Sequence, residues 1–193
     1  MLVPDFVNVV LDDDYGLRKL HPAPATIVDI GANVGFFSAF ARDRFPDSMI
    51  HAYEPAGETA AYARSNIAHP RTVLFEEGVA ASAGKAKLRT LGSTTLAQTD
   101  AAEDGAVRLT SFATVVERIG GRVDLLKIDC EGAEWDIFGI PEPFVRVRAI
   151  RMEYHLVGGR SVDDLHRVAA DIGFRVTRLV RNEGFGIAWL DRS

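Results

Sequence analysis

The stretch Thr26-Ile-Val-Asp-Ile-Gly-Ala-Asn-Val-Gly-Phe-Phe-Ser38 decides the fold of this chain. Its first half is an apolar run rich in β-branched residues, which is typical of a buried strand in a parallel sheet. Gly31 and Gly35 bracket a tight turn, and the apolar residues that follow recur at helical spacing. Strand, glycine turn and helix together form a cradle in which backbone N–H groups at the helix start can meet an anionic or polar ligand.

The spacing of the glycines bears on which ligand the turn holds. A dinucleotide fingerprint requires glycine at the first, third and sixth positions of the turn, whereas this chain has Gly31, Asn33 and Phe36 there. Asparagine tolerates a positive φ better than most non-glycine residues, so Asn33 can occupy a left-handed turn position. A plain strand-to-helix turn without a ligand stays open as the alternative on this stretch alone.

A second predicted strand, residues 48–53, is followed by an acidic residue at its carboxyl end. Pro55 stops the strand just past Glu54, which lies 23 positions after Gly31 (54 − 31). At an offset of ~20 residues, an acid can accept the hydrogen bonds of both ribose hydroxyls. We therefore predict Glu54 as a ribose ligand, and the alternative is a solvated strand end.

A further informative stretch, Val123-Asp-Leu-Leu-Lys-Ile-Asp-Cys-Glu-Gly-Ala-Glu134, runs from a buried strand into a helix. In a doubly wound sheet this strand neighbours the first one, so Asp129 and Glu131 face the crevice where ligands bind. Charged groups at the end of an apolar strand are costly unless they are paired or used. The alternative is an ion pair between Lys127 and Asp129 that simply tolerates burial.

Glu153 and His155 end another predicted strand, residues 145–155. Because they are two positions apart, their side chains point to the same face. A general base with an orienting carboxylate requires such a pair. A structural histidine is the alternative.

The rest of the chain predicts further strands. Residues 71–79 read as a third strand, and two alternating runs, 85–89 and 106–109, are joined by a Gly/Ser/Thr-rich stretch that suggests an added ribbon or a flexible loop. Residues 174–180 and 184–190 read as a terminal hairpin.

Composition excludes several classes of protein. The 193 residues carry 22 Lys+Arg against 27 Asp+Glu, a formal net charge of −5 without a basic run, which argues against nucleic acid as the partner. The single cysteine excludes an intramolecular disulfide framework and a multi-cysteine zinc site. No apolar run approaches the ~20 residues of a membrane span. We expect one cytoplasmic domain, with residues 1–24 as a packing segment or lid and residues 26–193 as the core.

The stretches 29–38, 51–55 and 125–134 together resemble the FkbM family of S-adenosylmethionine (SAM) dependent methyltransferases. The third stretch is the most specific, because generic Rossmann-like methyltransferases do not carry Lys-Ile-Asp-x-Glu-Gly. The resemblance implies a doubly wound, Rossmann-like α/β sheet of seven strands, mostly parallel with an antiparallel last strand. It also implies SAM as the methyl donor and typically O-methylation of a hydroxyl on a sugar, a polyketide or a related metabolite.

Strand ends, spacing and the resemblance together assign roles to particular residues. The predicted cofactor-binding residues are Asp29, Gly31, Ala32, Asn33, Gly35, Glu54, Pro55, Gly78, Val79 and Asp129. The predicted catalytic residues are His155, Asp129, Glu131 and Glu153. We predict His155 as the base, as a neutral imidazole near its ordinary pKa of ~6.5, with Asp129 positioning the acceptor hydroxyl.

Several alternatives stay open at this point. The four predicted catalytic residues could together bind a hard divalent ion, but we predict no metal because no tight ligand spacing is visible. An NAD-binding oxidoreductase is disfavoured by Asn33 and Phe36. A non-catalytic SAM-binding module that regulates a partner is the other rival. The expected partner is a small-molecule acceptor, and a homo-oligomer remains possible.

Overall fold

The computed structural model describes residues 2–90, 97–102 and 104–193 of the chain. Its strands are β1 (Thr26–Ile30), β2 (Met49–Tyr53), β3 (Thr72–Phe75), β4 (Gly78–Ala80), β5 (Gly84–Thr90), β6 (Ala97–Ala101), β7 (Val107–Ser111), β8 (Val123–Ile128), β9 (Val147–His155), β10 (Phe174–Arg181) and β11 (Phe185–Arg192). Its α-helices are α1 (Leu2–Phe6), α2 (Phe36–Arg44), α3 (Gly57–Asn66), α4 (Phe112–Arg118), α5 (Glu134–Phe138) and α6 (Val162–Asp171).

The main sheet has seven strands in the order β10-β11-β9-β8-β1-β2-β3. Strand β1 pairs in parallel with β2 and β8, β2 with β3, and β8 with β9. Strand β11 runs antiparallel to both β9 and β10. The predicted mostly parallel α/β sheet and its antiparallel terminal hairpin are therefore confirmed, and the carboxyl ends of β1, β2, β8 and β9 meet at one edge.

The register between β1 and β8 places polar residues side by side inside the sheet. All six residues of β8 are buried, as expected for a central parallel strand. Asp29 lies opposite Lys127, and Ile30 lies opposite Ile128. The turns that follow these two strands consequently begin at the same height.

The third predicted strand, residues 71–79, is split between two sheets. Its first part is β3 at the edge of the main sheet, whereas β4 pairs in parallel with β7 in a second sheet of order β4-β7-β5-β6. The chain departs between them at Glu77, whose carboxylate accepts a hydrogen bond from Arg118 at 2.6 Å. The expected ribbon is thus part of this four-stranded sheet, and residues 91–96 and 103 of the Gly/Ser/Thr-rich stretch lie outside the described residues.

The N-terminal segment, defined as residues 2–20, packs across α2 and β11. Helix α1 runs into a π-helical turn, and the Phe6 ring meets the Phe36 ring edge-on at 5.5 Å. The Trp189 indole donates a hydrogen bond to the Asp14 carbonyl at 2.7 Å. Tyr15 is buried in a cluster with Phe37. Within the described residues, none of the helices combines the length and apolar character needed to span a membrane.

Candidate functional site

Two cavities open at the carboxyl edge of the main sheet, on either side of the turn that follows β1. The first has an open volume of about 590 Å³ and is lined by residues that include Tyr53, Glu54, Pro55, Glu77, Gly78, Val79, Cys130 and Glu131. The second, of about 540 Å³, is lined by residues that include Asp5, Asn8, Val9, Asp14, Tyr15, Ala32, Phe36, Phe37, Lys127, Glu153 and Ile187. Both cavities are bordered by Gly31, Asn33 and Asp129, so these three form a shared wall.

The turn after β1 is packed so tightly that its first residue cannot carry a side chain. Gly31 has φ +75°, and a Cβ built there would lie 1.7 Å from the Asp129 carbonyl oxygen. The N–H groups of Gly31 and Ala32 both donate to the Tyr53 carbonyl, at 3.0 and 2.9 Å. The turn is therefore fixed between the ends of β2 and β8.

Asn33 adopts the left-handed conformation that the sequence predicts, with φ +51°. Its side-chain oxygen Oδ1 is buried and has no hydrogen-bond partner among the residues that the structure describes. A buried acceptor left without a donor costs free energy. Because Asn33 borders both cavities, this oxygen is available to a ligand that donates a hydrogen bond.

Glu54 is only 6% exposed, so it is not a solvated strand end. Its Oε2 accepts the Asn33 N–H and its Oε1 accepts the Ala56 N–H, both at 2.9 Å. Burial raises the pKa of the Glu54 carboxyl, and the two backbone N–H groups oppose that shift. Each carboxylate oxygen keeps acceptor capacity beyond these bonds, so Glu54 fixes the turn and can also bind hydroxyl groups in the first cavity.

Lys127 lies beneath the shared wall and is 3% exposed. Its Nζ donates to the Gly31 carbonyl at 2.6 Å and lies 3.3 Å from Asp29 Oδ1 and 3.5 Å from Asp129 Oδ2. Burial lowers the pKa of Lys127, but the charges of Asp29 and Asp129 outweigh it and raise the pKa above its ordinary value. The ion pair considered from the sequence is thus present and includes a second carboxylate.

Two of the predicted cofactor-binding residues line neither cavity. Asp29 is 0% exposed, and its Oδ2 accepts a hydrogen bond from the Ser38 hydroxyl at 2.7 Å. Gly35 faces α3, where a Cβ would lie 2.7 Å from Ile67 Cγ2. The contacts of both residues support the turn, and their direct contact with the cofactor stays a prediction. The remaining predicted cofactor-binding residues line one or both cavities.

His155 lies between three carboxylates rather than beside one. Its Nδ1 is 3.2 Å from Glu134 Oε1, and its Nε2 is 3.3 Å from Glu131 Oε2 and 3.5 Å from Glu153 Oε1. Burial lowers the pKa of His155, but hydrogen bonds to Glu134 and Glu153 raise it to about 10. These contacts favour a protonated ring over the predicted neutral imidazole, and the catalytic role of His155 stays a prediction.

Glu131 has the second perturbed carboxyl group of this cluster. Burial and the charge of Asp129 raise its pKa to about 7. A carboxyl that titrates near neutral pH can both accept and release a proton under physiological conditions. Sequence reasoning named Glu131 without indicating this shift, which depends on the three-dimensional neighbours.

The same cluster contains a set of groups that could hold a metal ion. Asp129, Glu131 and His155 each offer a ligand atom, and these atoms lie within 4.8 Å of one another. A cation bound there would have to displace the proton of the imidazole. The absence of a metal requirement stays a prediction.

Two further residues of the site were not predicted. Glu134 is fully buried and accepts the N–H groups of Gly132 and His155, both at 2.8 Å. It ends the quoted stretch 123–134, where the sequence analysis assigned it no role. The Tyr15 hydroxyl donates to Asp129 Oδ2 at 3.4 Å, and no motif in the N-terminal segment signals that contact.

Comparison with known proteins gives consistent matches. The methyltransferase FkbM domain family matches residues 29–176. Methyltransferase sdnD of Sordaria araneosa is 27% identical over 214 residues, which cover 90% of this chain and 82% of that protein. The 31-O-demethyl-FK506 methyltransferase FkbM of Streptomyces tacrolimicus is 30% identical over 194 residues, which cover 79% of this chain and 74% of that protein. Among solved structures, precorrin-6y C5,15-methyltransferase of Geobacter metallireducens GS-15 shares the fold, with a TM-score of 0.58, 12% identity and coverage of 96% of this chain and 88% of that one.

Proposed function

Since the chain belongs to the FkbM methyltransferase family, as its three motifs predict, we propose that it transfers the methyl group of SAM to a hydroxyl oxygen of a small metabolite. The observation that carries this proposal is the shared wall, where a cavity containing the buried Glu54 meets a second cavity at Asp129. The name of the relative from Streptomyces tacrolimicus, a 31-O-demethyl-FK506 methyltransferase, supports oxygen as the acceptor atom.

The residues of the first cavity fit SAM. Glu54 would accept the ribose hydroxyls, and Gly78 and Val79 would contact the adenine. The unpartnered Asn33 oxygen and the Asp129 carboxylate suit the positively charged end of the donor. SAM, when bound, supplies an electrophilic methyl group on a sulfonium.

The second cavity is the proposed acceptor site. Its outer wall comes from the N-terminal segment, including Asp5 and Tyr15, and its inner end is Asp129. An acceptor hydroxyl held beside Asp129, which both cavities share, would face the donor methyl where the two cavities meet. Holding the hydroxyl oxygen and the methyl carbon in contact at one fixed place supplies much of the acceleration through positioning.

The proton of the acceptor hydroxyl passes to the cluster around His155. Asp129 borders both cavities and Glu131 lines the first, so Glu131, with its pKa of about 7, would take up the proton that the hydroxyl releases beside Asp129. His155 Nε2 lies 3.3 Å from Glu131 Oε2, so a charged imidazole would balance the charge of Glu131. Glu153 Oε1 lies 3.5 Å from the same nitrogen. The predicted role of His155 as the base thereby becomes a role of the His155 cluster as a unit.

Calorimetric titration of the purified protein with SAM and with NAD tests the proposal. We expect SAM to bind and NAD not to bind. Release of S-adenosylhomocysteine in the presence of pooled hydroxylated metabolites would then identify the acceptor. Binding of NAD without SAM would establish the oxidoreductase instead, and SAM binding without turnover on any pool would favour a regulatory binding module.

A further inference from the structure

We propose that Lys127 is a positioning residue for the donor: its buried ammonium group fixes the Gly31 turn and the Asp129 carboxylate in the arrangement that receives SAM. This inference rests on the proposed function and concerns the same shared wall. It assigns a role to a side chain for which the sequence analysis left open an ion pair that merely tolerates burial.

The contacts of Lys127 reach both sides of the wall. The side chain starts on β8 opposite Asp29 of β1, and its Nζ donates to the Gly31 carbonyl at 2.6 Å and the Ile30 carbonyl at 3.4 Å. The same Nζ lies 3.5 Å from Asp129 Oδ2. One ammonium group therefore links the turn after β1 to the turn after β8, which are the two backbone segments that separate the cavities.

The charges around Lys127 leave one negative charge at the wall. Asp29 and Asp129 carry two negative charges and Lys127 carries one positive charge, so the group sums to −1. Asp29 is fully buried, whereas the Asp129 side chain is 26% exposed and borders both cavities. The remaining negative charge is thus presented where a cationic donor would lie.

Tyr15 closes the group from the side of the N-terminal segment. Its ring lies 5.8 Å from Lys127 Nζ, and its hydroxyl donates to the same Asp129 oxygen that Lys127 approaches. Asp129 is therefore held by two partners from different segments. Without Lys127, the Asp129 carboxylate would lose its nearby cation and keep the 3.4 Å contact to Tyr15, and the Gly31 carbonyl would lose its ammonium donor.

A charge-balanced double variant separates positioning from simple stabilisation. Replacing a buried ion pair by apolar or neutral groups of similar size often leaves stability unchanged. The variant Asp29→Asn/Lys127→Met removes both buried charges and keeps the net charge of −1 on Asp129. A residue that only stabilised the fold would be dispensable in this background, whereas a positioning residue would not.

The experiment measures SAM affinity by calorimetry and stability by urea unfolding for wild type, the double variant and Lys87→Met. Lys87 is an exposed lysine that pairs with Asp104 at 2.6 Å, away from both cavities, and serves as the control. We expect the double variant to unfold near the wild-type urea concentration and to bind SAM at least tenfold more weakly, while the control matches wild type. Wild-type affinity in the double variant would overturn the inference.

If the double variant does not fold, a measurement on the wild-type protein still tests the inference. The ¹⁵N resonance of the Lys127 ammonium group, assigned through its own side chain, should shift when SAM saturates the protein, and that of Lys87 should not. An unchanged Lys127 resonance in the SAM complex would overturn the inference and leave the proposed function intact. Wild-type protein that fails to bind SAM would instead refute the proposed function, and this inference with it.

Discussion

Replacing Glu54 by glutamine tests the donor cavity at a buried carboxylate. The change keeps the shape of the side chain and removes its charge. In the wild type, the two carboxylate oxygens each accept a backbone N–H at 2.9 Å, from Asn33 and from Ala56. Glutamine has one carbonyl oxygen, so one of these N–H groups would face an NH₂ group instead.

The expected size of the effect follows from those contacts. A hydrogen bond to a charged group contributes about 1.5–3 kcal/mol, and a buried donor left unpaired costs about 1–3 kcal/mol. Because Glu54 is 6% exposed, solvent screening scarcely reduces these values. We expect the free energy of unfolding to fall by about 1–3 kcal/mol. SAM affinity should fall by a similar amount, roughly 5- to 150-fold, since the ribose loses its charged acceptor.

Calorimetry with SAM and urea unfolding of the free protein measure the two effects separately. Glu58→Gln is the matched control, because Glu58 is an exposed residue in the first turn of α3. Wild-type SAM affinity in the Glu54 variant would refute the assignment of Glu54 to the donor, whatever the loss of stability. Equal losses in both variants would refute the dependence on burial.

Four further outcomes are expected. His155→Gln should lower kcat roughly 10²- to 10⁴-fold and leave SAM affinity nearly unchanged. The same change at the exposed His166 should alter neither quantity. Normal turnover by His155→Gln would exclude the His155 cluster from the chemistry. The pKa of His155 is raised from an ordinary value of ~6.5 to about 10, so its stabilising contribution should be complete below about pH 6.5 and disappear as the pH rises through about 10. Urea unfolding across that range should show a shrinking difference in unfolding free energy between wild type and His155→Gln. A growing difference would contradict the assignment. Gly31→Ala should lower the unfolding free energy by roughly 3 kcal/mol or more, because the new Cβ would lie 1.7 Å from a carbonyl oxygen. A Cβ at Gly57 would meet open space, so Gly57→Ala should match wild type within about 1 kcal/mol in thermal unfolding. Methyl transfer should survive EDTA, and a loss that magnesium restores would establish a metal site.

Features that depend on a few neighbouring residues were predictable from the sequence. Asn33 has the positive φ expected of an asparagine at that turn position. Ser111 and Ser161 cap the helices that follow them, because a hydroxyl placed just before a helix accepts an N–H of its first turn. The parallel pairing of β1 and β8 also follows from their long apolar runs and the turns behind them.

Features that depend on distant contacts were not predictable. The raised pKa of His155 depends on Glu134, which is 21 positions away in the sequence. Residues 71–79 were predicted as one strand, yet the chain leaves the main sheet after Phe75, and Glu77 then pairs with Arg118, 41 positions further on. Asp29 belongs to the motif of the turn, but only the register with Lys127 shows that it is buried under the site.

The contact between Trp189 and Asp14 joins positions 175 residues apart, and this separation sets an order in which the protein can be assembled during translation. At roughly 5–20 residues per second, strand β11 emerges roughly 10–35 s after the N-terminal segment that rests on it. The residues that line the first cavity all lie between positions 30 and 133, whereas the second cavity also requires Glu153 and Ile187. On a ribosome, the elements of the donor cavity are therefore available well before the wall of the acceptor cavity can close.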